Sequence, residues 1–221
     1  MNKKVKTDEL FDCKNPLLKD LFNASIYPWD LLPKIKDCAS KIIEKGIPGY
    51  TLYAEGVLVG ENVKIYPTAT IEPPTIISSG TVVRPGAFIR GSVIIGENCV
   101  IGNSTEIKNA ILLDGVQVPH YNYVGDSILG NGAHMGAGAI CSNFKGDGSN
   151  ITVRADENIE TGLRKFGAIL GDKADVGCGS VLNPGTVIGK GSRVYPLTSV
   201  RGVVPENSIV KSQNEIVEKR L

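Results

Sequence analysis

The sequence has few of the residues that usually mark a metal centre, a disulfide scaffold or a membrane span. Only two histidines and one tryptophan occur in 221 residues. The five cysteines are odd in number and lack CxxC spacing, so we interpret them as reduced and expect no metal at the site. No run of about 18 consecutive apolar residues is present, which a transmembrane helix would need. We therefore expect a soluble, cytoplasmic protein without a membrane partner.

The charges are almost balanced. Lys and Arg total 24 and Asp and Glu total 23, giving a formal net charge of +1. Proteins that bind nucleic acid usually carry a clear excess of positive charge. We therefore expect no nucleic-acid partner, and any anionic ligand must be held by a local group of cations.

A six-residue repeat is the strongest feature of the sequence. Aliphatic residues recur at every sixth position in a first run of ten: Val59, Ile65, Ile71, Ile77, Val83, Ile89, Ile95, Ile101, Ile107 and Leu113. They recur again in a second run of six: Leu170, Val176, Leu182, Ile188, Val194 and Val200. A small residue stands two positions before each member of the second run: Ala168, Ala174, Ser180, Thr186, Ser192 and Thr198. This period fits neither an α-helix nor a long strand and is typical of a solenoid.

The repeat predicts a mainly β fold, a left-handed parallel β-helix in which three hexads close one triangular turn. We assign residues 51–210 to this coil. The aliphatic phase slips after Leu113 and stops after Cys141, so residues 142–167 are predicted to leave the coil as a long loop.

The two ends of the chain are predicted to be helical. Residues 1–50 contain Pro16 and Pro28 at possible helix starts, and Gly46 at a possible helix end. Helices of this kind can cap the end of a solenoid or pack against a neighbouring subunit. Residues 211–221 are predicted to form a C-terminal helix, because Ser212 and Glu215 have the spacing of a capping box.

His120 is the candidate catalytic residue that the sequence suggests by itself. It follows Pro119, lies within the phase slip, and is outside the aliphatic positions. A histidine side chain titrates near neutral pH and can act as a general base. The alternative is a turn histidine with no chemical role.

Five segments resemble the acetyltransferase domain of bifunctional N-acetylglucosamine-1-phosphate uridyltransferase/glucosamine-1-phosphate acetyltransferase. They are RPGA (84–87), GNSTEIKNA (102–110), PHYNYVGD (119–126), MGAGAICSNF (135–144) and KFGAILGD (165–172). The whole chain also resembles short stand-alone proteins labelled UDP-N-acetylglucosamine pyrophosphorylases. The sequence lacks, before the repeats, the Gly-rich phosphate-binding loop that nucleotidyl transfer needs, which argues against pyrophosphorylase activity.

The resemblance implies a homotrimer with active sites between subunits, acetyl-CoA as co-substrate, and His120 as the general base. It implies that the amino-sugar phosphate is bound by these residues: Arg84, Lys108, Tyr123, His134 and Lys165. It implies that acetyl-CoA is bound by these residues: Ala137, Asn143, Phe144 and Cys178. The family has asparagine, tyrosine and serine where this chain has His134, Phe144 and Cys178, and the loop is longer here.

Two functions remain open at this point. The first is an acetyl-CoA-dependent N-acetyltransferase that acts on an amino-sugar phosphate such as glucosamine-1-phosphate. The second is a non-catalytic protein that binds sugar nucleotides and keeps the trimeric coil without transferring acyl groups.

Overall fold

The computed structural model describes residues 3–219 and consists mainly of short parallel strands wound into a left-handed β-helix, which confirms the predicted fold class. Each strand pairs with its counterpart in the next turn. Ile76 pairs with Ile94, which lies three hexads further along the chain. One turn of the coil therefore holds three hexads, as the repeat predicts. Ile94 in turn pairs with Ile111, one position short of three hexads.

The coil has three faces, which we number in chain order. The first face is built from these strands: Val57–Val59, Thr75–Ile77, Val93–Ile95, Ala168–Leu170, Thr186–Ile188 and Val203–Val204. The second face is built from these: Lys64–Ile65, Val82–Val83, Val100–Asn103, Gln117–His120, His134–Met135, Asp175–Val176, Arg193–Val194 and Ser208–Ser212. The third face is built from these: Thr70–Glu72, Phe88–Arg90, Ile140–Cys141, Val181–Leu182 and Ser199–Val200.

Two long strands, Glu106–Leu112 and Tyr123–Leu129, join the third face to the next turn of the first face. Each turns the corner on one residue, Asn109 or Asp126, whose φ angles are 46° and 48°. Asparagine and aspartate adopt this left-handed conformation more readily than most other residues. Such a narrow corner makes the turn of the coil one position shorter than three full hexads.

The aliphatic repeat fills the interior of the coil. All six members of the second run are buried there, and Ser180, Thr186 and Ser192 donate hydrogen bonds to backbone carbonyls of the following turn. The prediction for the first run is wrong at its last member. Leu112, and not Leu113, lies inside the coil and pairs with Ile95. The single-residue corner at Asn109 makes this hexad one residue short, so the inward position falls one residue earlier, at Leu112.

The N-terminal segment lies along the first face of the coil of its own chain, and not over an end of the solenoid. Its helices are Thr7–Leu10, Lys19–Asn23, the 3-10 helix Pro28–Lys34, and Ile35–Lys45. Together with apolar residues of the loop 142–167, they form one buried cluster with an apolar stripe on the outer side of the first face: Ile76, Ile94, Ile111, Ile128, Ile169, Val187 and Val203. Trp29 is 1% exposed at this interface. Burial of apolar area on both sides of these strands stabilises the first face.

Residues 142–167 leave the coil at the corner between the third and first faces. The backbone N–H of Phe166 donates to the carbonyl of Asn143 and closes the base of this loop. The loop contains an antiparallel hairpin of Thr152–Arg154 and Asn158–Glu160. Phe166 is buried with its ring centroid 5.8 Å from that of Trp29, so the loop and the N-terminal segment share one apolar cluster.

The predicted C-terminal helix is wrong within the described residues. Ser208–Ser212 continues the second face, and Glu215–Glu218 folds back on it as an antiparallel strand. Residues 220 and 221 of the predicted helix lie outside the described residues. In this hairpin Ile216 lies opposite Val210, and Val217 lies opposite Ile209. A helix of a few residues would lack these partners and is not stable by itself.

In the described part of the chain, no helix is both long and apolar enough to cross a membrane.

Candidate functional site

Three of the predicted site residues lie above one another at the corner that follows the second face. We call His120, Ala137 and Cys178 the His120 column. The N–H of Gly138 donates to the His120 carbonyl at 3.0 Å, and the N–H of Gly179 donates to the Ala137 carbonyl at 2.8 Å. Neighbouring strands are about 4.8 Å apart, so the column spans about 10 Å along the coil. The three positions are therefore adjacent although they come from three separate parts of the sequence.

The His120 column is open to solvent. Its three residues are all exposed, and Ala137 and Cys178 leave room above the backbone. The backbone N–H of His120 donates to Oδ1 of Asn122 at 3.1 Å, and Asn122 is buried, with its amide bonded to the carbonyls of Gly136 and Ala139. Among residues 3–219 the imidazole of His120 has no hydrogen-bond partner. The backbone under His120 is thus fixed, while its ring is available to a ligand.

A second group of predicted residues surrounds a carboxylate that the sequence analysis did not identify. We call Asp126, Lys108, Asn109, Tyr123 and Asn143 the Asp126 cluster. Asp126 is 5% exposed, and its carboxylate accepts hydrogen bonds from the amides of Asn109 and Asn143. Lys108 Nζ lies 3.6 Å from Asp126 Oδ2, and the Asn143 amide also donates to Tyr123 Oη at 3.2 Å. Of the residues that the resemblance places at the site, Asp126 therefore positions Lys108 and Asn143 directly and Tyr123 through Asn143.

The phenol of Tyr123 is held in its neutral form. Partial burial raises its pKa above the usual value of about 10, and the negative charges of Asp126 and Glu106 raise it further. A neutral phenol keeps its proton at all physiological pH values. Tyr123 is thus able to donate a hydrogen bond to a ligand oxygen.

A groove lies beside the Asp126 cluster, between the loop and the N-terminal segment. We call it the loop groove. Its volume is about 460 Å³, and it is lined by these residues: Leu32, Pro33, Asn109, Phe144, Leu163, Arg164 and Lys165. Phe144 and Lys165, which the resemblance assigns to different ligands, line this groove together. Asn109 connects the groove with the cluster through its bond to Asp126.

His134 and Arg84 lie apart from both groups in the single chain. His134 Nδ1 is 2.9 Å from Asp175 Oδ1, and Asp175 is also 3.6 Å from Arg193 Nε. These three side chains line a separate surface cavity of about 490 Å³ on the second face. Arg84 follows the strand Val82–Val83, two turns of the coil before His120, and its guanidinium forms no ion pair with another described residue.

Comparison with known proteins finds one matching family model and several bifunctional proteins with similar sequences. Residues 71–163 match the family described as the GMPPB C-terminal domain. The chain is 36% identical over 197 residues to the bifunctional protein GlmU of Methanococcus aeolicus, an alignment that covers 87% of this chain and 47% of the relative. The chain is therefore similar to the GlmU proteins over most of its own length. A GlmU protein of Methanococcus maripaludis is 35% identical over 203 residues, which cover 90% of this chain and 49% of that protein.

The chain spans about half the length of the curated proteins it matches. Among solved structures it is similar to the acetyltransferase domain of PglB from Neisseria gonorrhoeae in complex with acetyl coenzyme A, at 16% identity and a TM-score of 0.34. That similarity covers 80% of this chain and 62% of that domain.

The candidate site contains two residues that sequence reasoning missed, Asp126 and Asn109. Both are polar residues at corners of the coil, and both fall inside segments that carry the family resemblance. The signal that could have found them is their spacing in the sequence. A turn that is one position shorter than three hexads places Asp126 directly after Asn109 along the coil, with their side chains in contact. Among residues 3–219, no group of three or more His, Cys, Asp or Glu side chains has the arrangement of a metal site.

Removal of the Asp126 carboxylate should weaken the fold as well as the site. We expect Asp126→Ala to lower the free energy of unfolding by about 1–3 kcal/mol, because two half-buried amides lose a charged acceptor. Urea denaturation followed by circular dichroism measures this change. The control Asp156→Ala, at an exposed loop carboxylate, should change the value by less than about 0.5 kcal/mol. Equal effects of the two substitutions would contradict the positioning role of Asp126.

Proposed function

We propose that this protein is an N-acetyltransferase that uses acetyl-CoA and acts on an amino-sugar phosphate such as glucosamine-1-phosphate. The observation that carries the proposal is the exposed His120 imidazole, free of protein partners among the described residues, at one end of an open column of small side chains. The relatives named as bifunctional GlmU proteins support the same class of substrate. A further relative, from Sulfurisphaera tokodaii, is named a bifunctional sugar-1-phosphate nucleotidylyltransferase/acetyltransferase and is 34% identical over 92 residues.

The residues of the Asp126 cluster suit the acceptor. Lys108 is 27% exposed, so its ammonium group can reach a phosphate while Asp126 limits its movement. Tyr123 is half-buried beside it with a neutral phenol. Together they offer one cation and one hydroxyl to a sugar phosphate. Tyr123 begins the strand that starts shortly after His120, and Lys108 lies on the neighbouring strand.

The His120 column suits the donor. The pantetheine arm of acetyl-CoA is long and narrow, and Ala137 and Cys178 form a wall without bulky side chains beside the imidazole. His120 accepts the proton that the amine loses as its nitrogen attacks the thioester carbon. The carbon–sulfur bond breaks, and the CoA thiolate takes up that proton. Cys178 acts as part of the wall, and no covalent bond to the enzyme forms.

We also propose that the active unit is a homotrimer. Arg84 and His134 belong to the substrate residues implied by the resemblance, yet one chain does not bring them to the Asp126 cluster. A second copy of the chain can supply them across an interface. Sedimentation equilibrium tests this assembly, with a mass of three chains as the expected result and a monomer as the contradicting one.

The direct test of the proposed function is the release of free CoA thiol from acetyl-CoA in the presence of glucosamine-1-phosphate. We expect thiol release that depends on both substrates. Absence of release with a panel of amino-sugar phosphates and nucleotide-linked amino sugars would overturn the proposal. Stabilisation by UDP-sugars without any transfer would instead indicate the non-catalytic binding protein.

The rate at which Cys178 reacts with iodoacetamide should show whether acetyl-CoA is bound at the column. Cys178 is the exposed cysteine of the five, whereas burial raises the pKa of Cys99 and of Cys141 to about 12. Because the thiolate is the reactive form, iodoacetamide should modify Cys178 first. Saturating acetyl-CoA should slow this modification at least about fivefold, as measured by peptide mass spectrometry, since a bound ligand blocks access to the thiol. An unchanged rate in the presence of saturating acetyl-CoA would argue against the column as the donor site.

A further inference from the structure

The loop groove combines an aromatic surface with apolar walls. Phe144 is 44% exposed, a large fraction for an aromatic side chain. Leu32 and Pro33 of the N-terminal segment and Leu163 of the loop line the same groove. A planar ring placed on Phe144 would therefore have apolar contacts on several sides.

The groove also contains two positively charged side chains, Arg164 and Lys165. Arg164 and Lys165 are both exposed, no carboxylate lines the groove, and neither cation forms an ion pair with another described residue. Arg164 Nε donates to the carbonyl of Gly148 at 3.3 Å, which fixes the guanidinium and leaves its terminal amino groups available. Two adjacent cations without a neighbouring anion favour a ligand with more than one negative charge.

The position of the groove indicates which ligand it receives. Its volume of about 460 Å³ is in the range of small-molecule sites, about 300–1,000 Å³. Asn109 lines the groove and also bonds to Asp126, so the groove opens beside the residues proposed to bind the acceptor sugar. The His120 column contributes none of the lining residues.

We propose that the loop groove binds the base and the diphosphate of a nucleotide-linked amino sugar. The base stacks on Phe144, and Arg164 and Lys165 contact the phosphates. This inference rests on the proposed function for the sugar end of the ligand, and it adds nucleotide-linked amino sugars to the acceptors, because the groove offers contacts that a free sugar phosphate cannot use. It also assigns Phe144 to the acceptor, although the resemblance alone assigns it to acetyl-CoA.

The test compares ligands that differ only in the nucleotide. Calorimetric titrations measure Kd for UDP-N-acetylglucosamine and for N-acetylglucosamine-1-phosphate with the full chain. We expect Phe144→Ala to raise Kd for the nucleotide sugar about tenfold, the effect of losing one stacked base, and to change Kd for the sugar phosphate less than about twofold. Arg164→Ala should weaken binding of the nucleotide sugar in the same selective way. Tyr53→Ala, at an aromatic residue that is 54% exposed outside the groove, is the control and should change neither value.

Two results would overturn the inference. One is an equal change of both Kd values, or no change, in Phe144→Ala with an unaltered melting curve. The other is a tenfold weakening of desulfo-CoA in Phe144→Ala while UDP-N-acetylglucosamine is unaffected, which would assign the groove to the nucleotide of CoA. In either case thiol release by the wild-type protein still decides the proposed acetyl transfer separately, because that assay does not depend on Phe144.

Discussion

His120→Ala should lower kcat for acetyl transfer by about 10²- to 10⁴-fold, the usual contribution of a general base. The amine nucleophile must lose a proton during the attack, and His120 carries the ring that the structure leaves open at the column. The KM values should change little, because the imidazole acts on the reacting atoms and the ligand is held by other residues. Steady-state thiol release at saturating concentrations of both substrates measures the effect.

The matched control for this substitution is Gln117→Ala. Gln117 is an exposed polar residue at the start of the strand that ends at His120. Its replacement should leave kcat within about twofold, as expected for a surface change away from the reacting groups. A kcat of His120→Ala within about threefold of the wild type would contradict the assignment of His120 as the base.

Leu31→Ala should lower the free energy of unfolding by about 2–5 kcal/mol, the range for a leucine truncated in a well-packed core. Leu31 is 0% exposed where the 3-10 helix packs on the outer side of the first face. Its removal leaves a cavity between the N-terminal segment and the coil. Guanidinium denaturation, followed by the fluorescence of Trp29 in the same cluster, measures the change.

Ile26→Ala tests whether this effect depends on the packing. Ile26 is an aliphatic residue of the same segment, close to Leu31 in the sequence, but it is 68% exposed. Its replacement should change the free energy of unfolding by less than about 0.5 kcal/mol. Similar values for Leu31→Ala and Ile26→Ala would mean that the segment does not pack along the first face.

The coil could be predicted because its sequence signal is local and repeated. Every sixth residue has the same environment, so Ile77, Ile95 and Val176 all occupy equivalent positions in the interior of the coil. The covering of the first face was harder to predict. On this face an outward-facing aliphatic residue precedes the inward-facing one, as in Ile94–Ile95. This pattern indicates that the outer side of the face is covered, but it does not identify the segment that covers it. The C-terminal hairpin was missed because the energy of pairing with Ser208–Ser212 is not a property of residues 215–218 alone.

Some residues of the candidate site could be predicted from the sequence, and others could not. His120, Lys108 and Tyr123 could be named from the segments that carry the family resemblance, and their roles stay predictions. The importance of Asp126 is visible only when the coil brings Asn109, from the turn before, and Asn143, from the turn after, to one carboxylate. The loop groove needs two segments that no local pattern connects, since Leu32 and Phe144 lie in different halves of the sequence.

The most direct measurement is a crystal structure of the protein with bound acetyl-CoA. We expect the pantetheine arm along Ala137 and Cys178, with the thioester beside the His120 ring and room for an amine about 3–3.5 Å from its carbonyl carbon. Density for acetyl-CoA on another face of the coil, away from His120, would contradict the account.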